Sequence, residues 1–350
     1  MESKIERIIQ SLIVIKESIN SKEVLVLSIR ITAIQAKILK ELIADARKDV
    51  NEIARKIGTS REIVKNNYQK LEKSGIIKGA TIHINYKLFG FEAVANILIT
   101  VKPEQADQLL EYLKGVPEVY AAYTRGIKDK IGMITILRTL EQLNTIKDTI
   151  KRMFSVSEMK TIIWTDVREM NENLAIIDDN RKKANEPKSN RTKINFSKSI
   201  IDEIDQKMVD RLAEDGKISM QLLAKEIGIS TATARRKFEN LKNIGALKVT
   251  IQIDPAKIGY QALCIFFIVA SEKEGSQIIK KISAIPDVIS IMKTTGDYDF
   301  EIYAMIQNLE QLLFIQDEIG RIEGINNIET DISRLLFDKW PSPKQYISTF

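Results

Sequence analysis

The chain has 350 residues, 44% hydrophobic and 29% charged, with 53 basic against 47 acidic groups and a formal net charge of +6. That length suits two or three ordinary domains, and no apolar run approaches the roughly 20 residues of a membrane helix. One cysteine, Cys264, and one histidine, His83, exclude an internal disulfide, a His/Cys zinc cluster, a Ser-His-Asp triad and a Cys-His pair with a spare shuttle.

No metal and no cofactor is expected, and Cys264 in its apolar stretch reads as a buried thiol. Residues 1–29 hold Ile5, Ile8, Leu12, Ile15 and Ile19 in a helical stripe. Such a stripe packs on neighbouring helices or meets a partner or membrane, and the first is the plainer reading. Glu2, Glu6 and Glu17 do not fit an export signal, so a cytoplasmic protein is expected.

Residues 30–79 carry twelve basic and six acidic groups and read as a helix-turn-helix. Thr32 and Gln35 form a capping box, with Ile34, Ile38, Leu39 and Leu42 on one helical face. A short helix over Val50–Lys56 ends at Gly58, and Ser60 caps a third helix. Ile63, Val64, Tyr68 and Leu71 are expected inward. Ser60 and the outward Arg61, Lys65, Asn66, Gln69 and Lys70 suit phosphates and base edges of double-stranded DNA.

Residues 80–177, with no net charge, alternate strand and helix in the order βαββαβ. The strands fall at Ala93–Val101, Val119–Thr124, Ile131–Leu137 and Lys160–Trp164. The helices run from Pro103 to about Lys114 and over Leu140–Met153. Residues 178–199, with seven basic and three acidic groups and almost no apolar residue over 178–191, are predicted to be a flexible linker.

The second half repeats the first. At a spacing of 170, Ile53-Ala54-Arg55-Lys56-Ile57-Gly58-Thr59-Ser60 lies over Leu223-Ala224-Lys225-Glu226-Ile227-Gly228-Ile229-Ser230. With one residue dropped, Gly90-Phe91 lies over Gly259-Tyr260, Val116-Pro117 over Ile285-Pro286, and Leu140-Glu141-Gln142-Leu143 over Leu309-Glu310-Gln311-Leu312. One two-part unit therefore occurs twice: helix-turn-helix at 200–249, α/β domain at 250–340 and a tail at 341–350.

In the second unit a face of Ile204, Met208, Val209 and Leu212 precedes a short helix over Met220–Glu226. Ser230 then caps a third helix with Ala234, Phe238 and Leu241 inward. Ser230, Thr231, Thr233, Arg235, Arg236 and Lys237 are its DNA-binding candidates. The strands are Ala262–Ala270, Val288–Lys293, Phe300–Ile306 and Asn327–Leu336, with helices over Ser276–Ile285 and Leu309–Ile319. The fold class is α+β: a winged-helix-like helix-turn-helix followed by a ferredoxin-like domain, in tandem.

The pieces Ile201-Asp202-Glu203-Ile204-Asp205, Gly228-Ile229-Ser230 with Arg235-Arg236, and Thr295-Gly296-Asp297-Tyr298-Asp299 resemble the leucine-responsive regulator/AsnC family of feast-famine regulators. The resemblance covers roughly residues 30–170 and 200–340. It implies a sequence-specific DNA-binding regulator without enzymatic activity, whose α/β domains self-associate, within or between chains, and bind an amino acid or another small molecule as effector. A doubled chain resembles a dimer fused into one polypeptide.

The resemblance also implies that Gly296, Asp297 and Asp299 contact the effector. The first unit has Gly126-Ile127-Lys128-Asp129 in their place, so only Gly126 and Asp129 remain for a weaker site. A tight Gly-Asp turn between strands also has purely backbone uses. Siroheme decarboxylases resemble the same family but rely on His- and Arg-rich motifs, for which only His83 stands here, with Gln252 as its counterpart. An architectural DNA-coating protein without an effector is the third possibility.

Overall fold

The computed structural model describes residues 31–177, 201–271, 275–334, 339–341 and 345–346. The stripe read over residues 1–29, the linker at 178–199 and most of the 341–350 tail lie outside the described residues.

The first unit runs α1 Ala33–Ala44, α2 Val50–Ile57, α3 Arg61–Lys73, β1 Ile77–Ile84, β2 Ala93–Val101, α4 Ala106–Lys114, β3 Val119–Arg125, β4 Ile127–Leu137, α5 Glu141–Met153 and β5 Val156–Glu169. The second runs α6 Glu203–Glu214, α7 Met220–Ile227, α8 Thr231–Asn243, β6 Leu247–Ile253, β7 Ala262–Ala270, α9 Gly275–Ser283, β8 Val288–Gly296, β9 Phe300–Ile306, α10 Leu309–Gly320 and β10 Ile325–Arg334, followed by the short β11 Gln345–Tyr346.

The expected start signals form. Gln35 N donates to Thr32 Oγ1 at 3.3 Å while Thr32 N donates to Gln35 Oε1 at 2.8 Å, and Asp202 and Asp205 cap α6 in the same reciprocal way. α2 and α7 end on Gly58 and Gly228 at φ 72° and 77°, the left-handed conformation that costs glycine least.

Two differences from the sequence reading have nonlocal causes. β1 and β6 are strands that the local pattern does not announce. They pair antiparallel with each other from Ile77↔Ile253 to Ile84↔Leu247, so each finds its partner in the other unit. β5 spans fourteen residues rather than Lys160–Trp164. Its ends carry polar groups, but the N-terminal end is paired to β2 and the C-terminal end to β8.

Eight strands form one sheet in the order β10-β7-β9-β8-β5-β2-β4-β3. Each half has the ferredoxin-like order 4-1-3-2, and β5 meets β8 at the join, from Ile162↔Gly296 to Glu169↔Ser290. The two ends of this sheet also approach each other. Gly126 N donates to Ile332 O at 3.1 Å, and Arg125 Nε lies 2.5 Å from Asp331 Oδ2. The sheet therefore curls into a barrel-like layer with its inner face shared by both units.

Strand alternation explains why β2 and β7 read as continuous apolar runs. Ala93, Ala95, Ile97, Ile99 and Val101 join one core with Leu109, Leu113, Leu143, Ile146 and Ile150 of α4 and α5. Cys264, Phe266 and Ile268 do the same with α9 and α10. Val94, Leu98, Ile265 and Phe267 point to the shared interior. Burial pushes the Cys264 thiol pKa up, as expected for an inert thiol.

After β5 the chain crosses to the second unit. Asn173 Nδ2 donates to Ile285 O and Val288 O, each at 2.8 Å, and Ala175 N donates to Asp287 Oδ1 at 2.7 Å. The buried Asp287 also accepts from Tyr260 Oη and Gln311 Nε2.

Candidate nucleic-acid interface

Each third helix begins at a serine that accepts a backbone donor. Ile63 N donates to Ser60 Oγ at 3.3 Å and Thr233 N to Ser230 Oγ at 3.1 Å. Ser230 Oγ also lies 2.9 Å from Thr233 Oγ1. Val64 and Leu71 anchor α3, and Ala234, Phe238 and Leu241 anchor α8. Arg61, Lys65, Asn66, Gln69 and Lys70 are exposed, as are Arg235 and Arg236, while Thr231 and Thr233 are half-buried.

Two side chains depart from the sequence reading. Ile63, expected inward, is 40% exposed. Lys237, expected to reach outward for DNA, folds back instead. Its ammonium lies 2.6 Å from Asp202 Oδ2 and 3.0 Å from Asp205 Oδ1, with the side chain only 14% exposed. The hydrogen bond from Lys237, followed by that from the Asp205 backbone, lowers the Asp202 pKa. The partners lie 35 and 32 residues back in the chain, where helix spacing alone cannot place them.

The two helix-turn-helix domains are clamped together reciprocally. Thr81 Oγ1 of β1 donates to Ala213 O of α6 at 2.8 Å, and Thr250 Oγ1 of β6 donates to Ile43 O of α1 at 2.9 Å. Gly216 N donates to Ala80 O at 2.9 Å and Ala46 N to Val249 O at 3.1 Å. The Arg47 guanidinium sits 5.0 Å from the centroid of the Phe238 ring in α8, and the Lys217 ammonium 4.5 Å from that of Tyr68 in α3.

Arg47 Nε and Nη2 also donate to Gly216 O at 2.8 Å and Ile218 O at 2.7 Å. Each third helix thus carries an aromatic ring that holds a cation from the other unit's turn. Sequence reasoning missed this clasp, although a cation and an aromatic repeat at a spacing of 170, Arg47 over Lys217 and Tyr68 over Phe238.

The effector candidates lie at the β8–β9 turn. Gly296, at φ 124°, ends β8 beside β5; a Cβ there would lie 2.7 Å from Thr161 O. Asp297 is exposed. Asp299 Oδ2 already accepts from Ala270 N at 2.8 Å. Tyr298 is buried, and its Oη donates to Glu329 Oε2 at 2.7 Å.

In the first unit Gly126, at φ 62°, belongs to the opposite seam, and Asp129 is half-buried. The glycines fall one position out of register. Thr124↔Ile131 and Lys293↔Phe300 keep a spacing of 169 across the turn, so Gly126 corresponds to Thr295 and Asp129 to Tyr298.

The fold and this surface define a class: tandem winged helix-turn-helix domains, each followed by a ferredoxin-like domain. Residues 201–242 match the AsnC-type helix-turn-helix domain, residues 264–334 the Lrp/AsnC ligand binding domain, and residues 31–78 a winged helix-turn-helix DNA-binding domain. Over 136 residues the chain is 32% identical to the regulatory protein AsnC of Haemophilus influenzae, covering 38% of this chain and 91% of that protein. It is 29% identical over 136 residues to the HTH-type transcriptional regulator FL11 of Pyrococcus furiosus, covering 39% of this chain and 90% of that one.

The chain belongs to the Lrp/AsnC family. Over nearly its whole length its fold is similar to that of the siroheme decarboxylase NirDL, with a TM-score of 0.58, 16% identity and coverage of 91% of this chain and 94% of that one. No helix among the described residues is long and apolar enough to cross a membrane.

Proposed function

We propose that the chain is a sequence-specific DNA-binding transcriptional regulator in which two tandem family units act as a fused pseudo-dimer. The clasp of α3 and α8 carries this reading. Two serine-capped helices with exposed cations are tied to each other across the units, which suits two major-groove contacts.

Arg61, Lys65, Asn66, Gln69 and Lys70 form one contact face, and Thr231, Thr233, Arg235 and Arg236 the other, with Ser60 and Ser230 at the helix starts. Lys237 is assigned to the fold instead. The domain division read from the sequence stands as part of this proposal, with β1 and β6 straddling positions 80 and 250. The unequal faces call for two dissimilar half-sites, spaced by whole helical turns. Footprinting on selected genomic fragments tests this: two protected segments are expected, and a single half-site would overturn it. Affinity should fall steeply with salt, because phosphate neutralisation dominates it.

An amino-acid effector at Gly296, Asp297 and Asp299 belongs to the same proposal, with Gly126 and Asp129 as the weaker counterpart. Asp297 is the carboxylate in solvent, while Asp299 is engaged with the backbone. A screen of amino acids for changed DNA affinity or assembly separates this from an effector-independent architectural protein, which would show none.

The whole-chain likeness to a siroheme decarboxylase favours a second reading, a tetrapyrrole enzyme. His83 is buried with Nε2 3.1 Å from Asn171 Nδ2. A shifted Soret band on mixing with siroheme, lost in His83→Ala, would support that reading over the regulator.

A further inference from the structure

In the shared interior of the barrel lies the carboxyl of Glu301 of β9, which has no solvent exposure. Its Oε1 accepts from Asn96 Nδ2 at 2.5 Å and from Tyr303 Oη at 2.6 Å, and its Oε2 accepts from Trp164 Nε1 at 2.9 Å. Asn96 Nδ2 also donates to Tyr123 Oη at 2.8 Å. Asn96, Tyr123 and Trp164 belong to the first unit, so two of the three donors to this second-unit carboxyl come from the other unit.

The units are related by a pseudo-twofold exchange at a spacing of 169. Ile163 faces Thr295 across the β5–β8 seam, and their counterparts Ile332 and Gly126 are joined across the other seam. The same exchange turns Glu301 into Gly132, Tyr303 into Ile134, Asn96 into Ile265, Tyr123 into Met292 and Trp164 into Ser333. The interior does not share that symmetry. A Cβ on Gly132 would lie 2.1 Å from the Tyr123 ring, so the first unit has given up its side chain there to seat the tyrosine.

We propose that this cluster makes the two units obligate unlike partners: the second unit's inner face takes a first unit, from its own chain or another, and rejects a copy of itself. In a pair of second units, each Glu301 would keep Tyr303 Oη of its own unit but face isoleucine, methionine and serine in place of the amide, the phenol and the indole. In a pair of first units, Trp164 would face glycine and isoleucine with no acceptor, and Asn96 Nδ2 would keep only Tyr123 Oη of its own unit. Both like pairs leave buried polar groups short of hydrogen-bond partners, a penalty that works as discrimination. The proposal holds whatever the chain binds.

The test uses the full chain with a protease site inserted within residues 178–199 and cut in the native state. Light and heavy isotope-labelled samples are mixed, unfolded in urea, refolded by dilution and read by native mass spectrometry. The expected result is scrambled light and heavy labels in unlike pairs, with like pairs below about one in a hundred. Like pairs near the statistical half would overturn the proposal.

Glu301→Leu should raise pairs of second units about tenfold or more, and Glu301→Gln, which keeps a polar group, should not. A folded Glu301→Leu protein with no such pairs would refute the role given to the carboxyl. If that variant does not accumulate, the distribution in the wild-type chain decides alone.

Discussion

Replacing Arg47 by alanine tests whether the clasp fixes the two helix-turn-helix domains. The side chain supplies two hydrogen bonds, at 2.8 and 2.7 Å, to Gly216 O and Ile218 O, and a cation 5.0 Å from the Phe238 centroid. Bonds from a charged donor contribute about 1.5–3 kcal/mol each, and an accessible cation–π contact about 0.5–1 kcal/mol. Arg47 is half-buried, so water restores part of what the carbonyls lose, leaving a net cost of about 2–4 kcal/mol.

Lys217, its counterpart, makes one bond to the neutral Tyr68 Oη at 3.0 Å and sits 4.5 Å from that ring. Lys217 is exposed, so water replaces most of what that bond supplies, and its removal should cost only about 1 kcal/mol. Urea unfolding of both variants with unchanged m-values measures the two costs. Fluorescence anisotropy should show Arg47→Ala losing affinity for paired half-sites but not for a single one. Equal costs for the two variants, or a larger one for Lys217→Ala, would refute the reasoning.

Arg235→Ala with Arg236→Ala should weaken DNA binding substantially and lower the salt slope by about one for each phosphate no longer neutralised; unchanged affinity at low salt would remove α8 from the interface. Lys237→Ala should instead cost about 1 kcal/mol of stability, with DNA affinity within about twofold of wild type; an affinity drop like that of Arg235→Ala would restore Lys237 to the interface. The pH dependence of that cost follows from the Lys237 ion pair. The depressed Asp202 pKa makes its share present above the ordinary aspartate value, about 3.9, and lost as pH falls through the folded value. The raised Lys237 pKa, in which its carboxylate partners outweigh desolvation, makes the alkaline decline occur as pH rises through that value. Urea titrations of wild type and Lys237→Ala should therefore converge at both extremes, and a constant difference across pH would contradict the assignment. Gly296→Ala should destabilise the chain by about 1–3 kcal/mol, because its Cβ would press on Thr161 O at 2.7 Å; an unchanged melting temperature would show that the β5–β8 seam adjusts freely.

The repeat made the fold legible. Gly58 with Gly228, Ser60 with Ser230 and the periodic apolar positions carry local rules of capping and amphipathicity, which a chain states in its own order. The exchange of β1 and β6, the length of β5 and the retreat of Lys237 onto Asp202 depend on partners far away in sequence. Ile63 reads as core because its spacing fits the buried stripe, yet its position on α3 faces outward. Comparison of the halves also hides Glu301, since its match to Gly132 looks like divergence. Their difference becomes meaningful only when β4 and β9 are seen to share one interior.

The covalent tie between two barrel halves also changes how the protein responds to its own abundance. Two separate subunits must meet before a paired DNA site is filled, so occupancy at low concentration rises with the square of subunit concentration. In the proposed fused pseudo-dimer both helices arrive on one polypeptide, and the second contact would be made at an effective concentration set by the fold. Occupancy of a paired site would then rise with the first power of chain concentration, a graded dose response in place of a cooperative threshold.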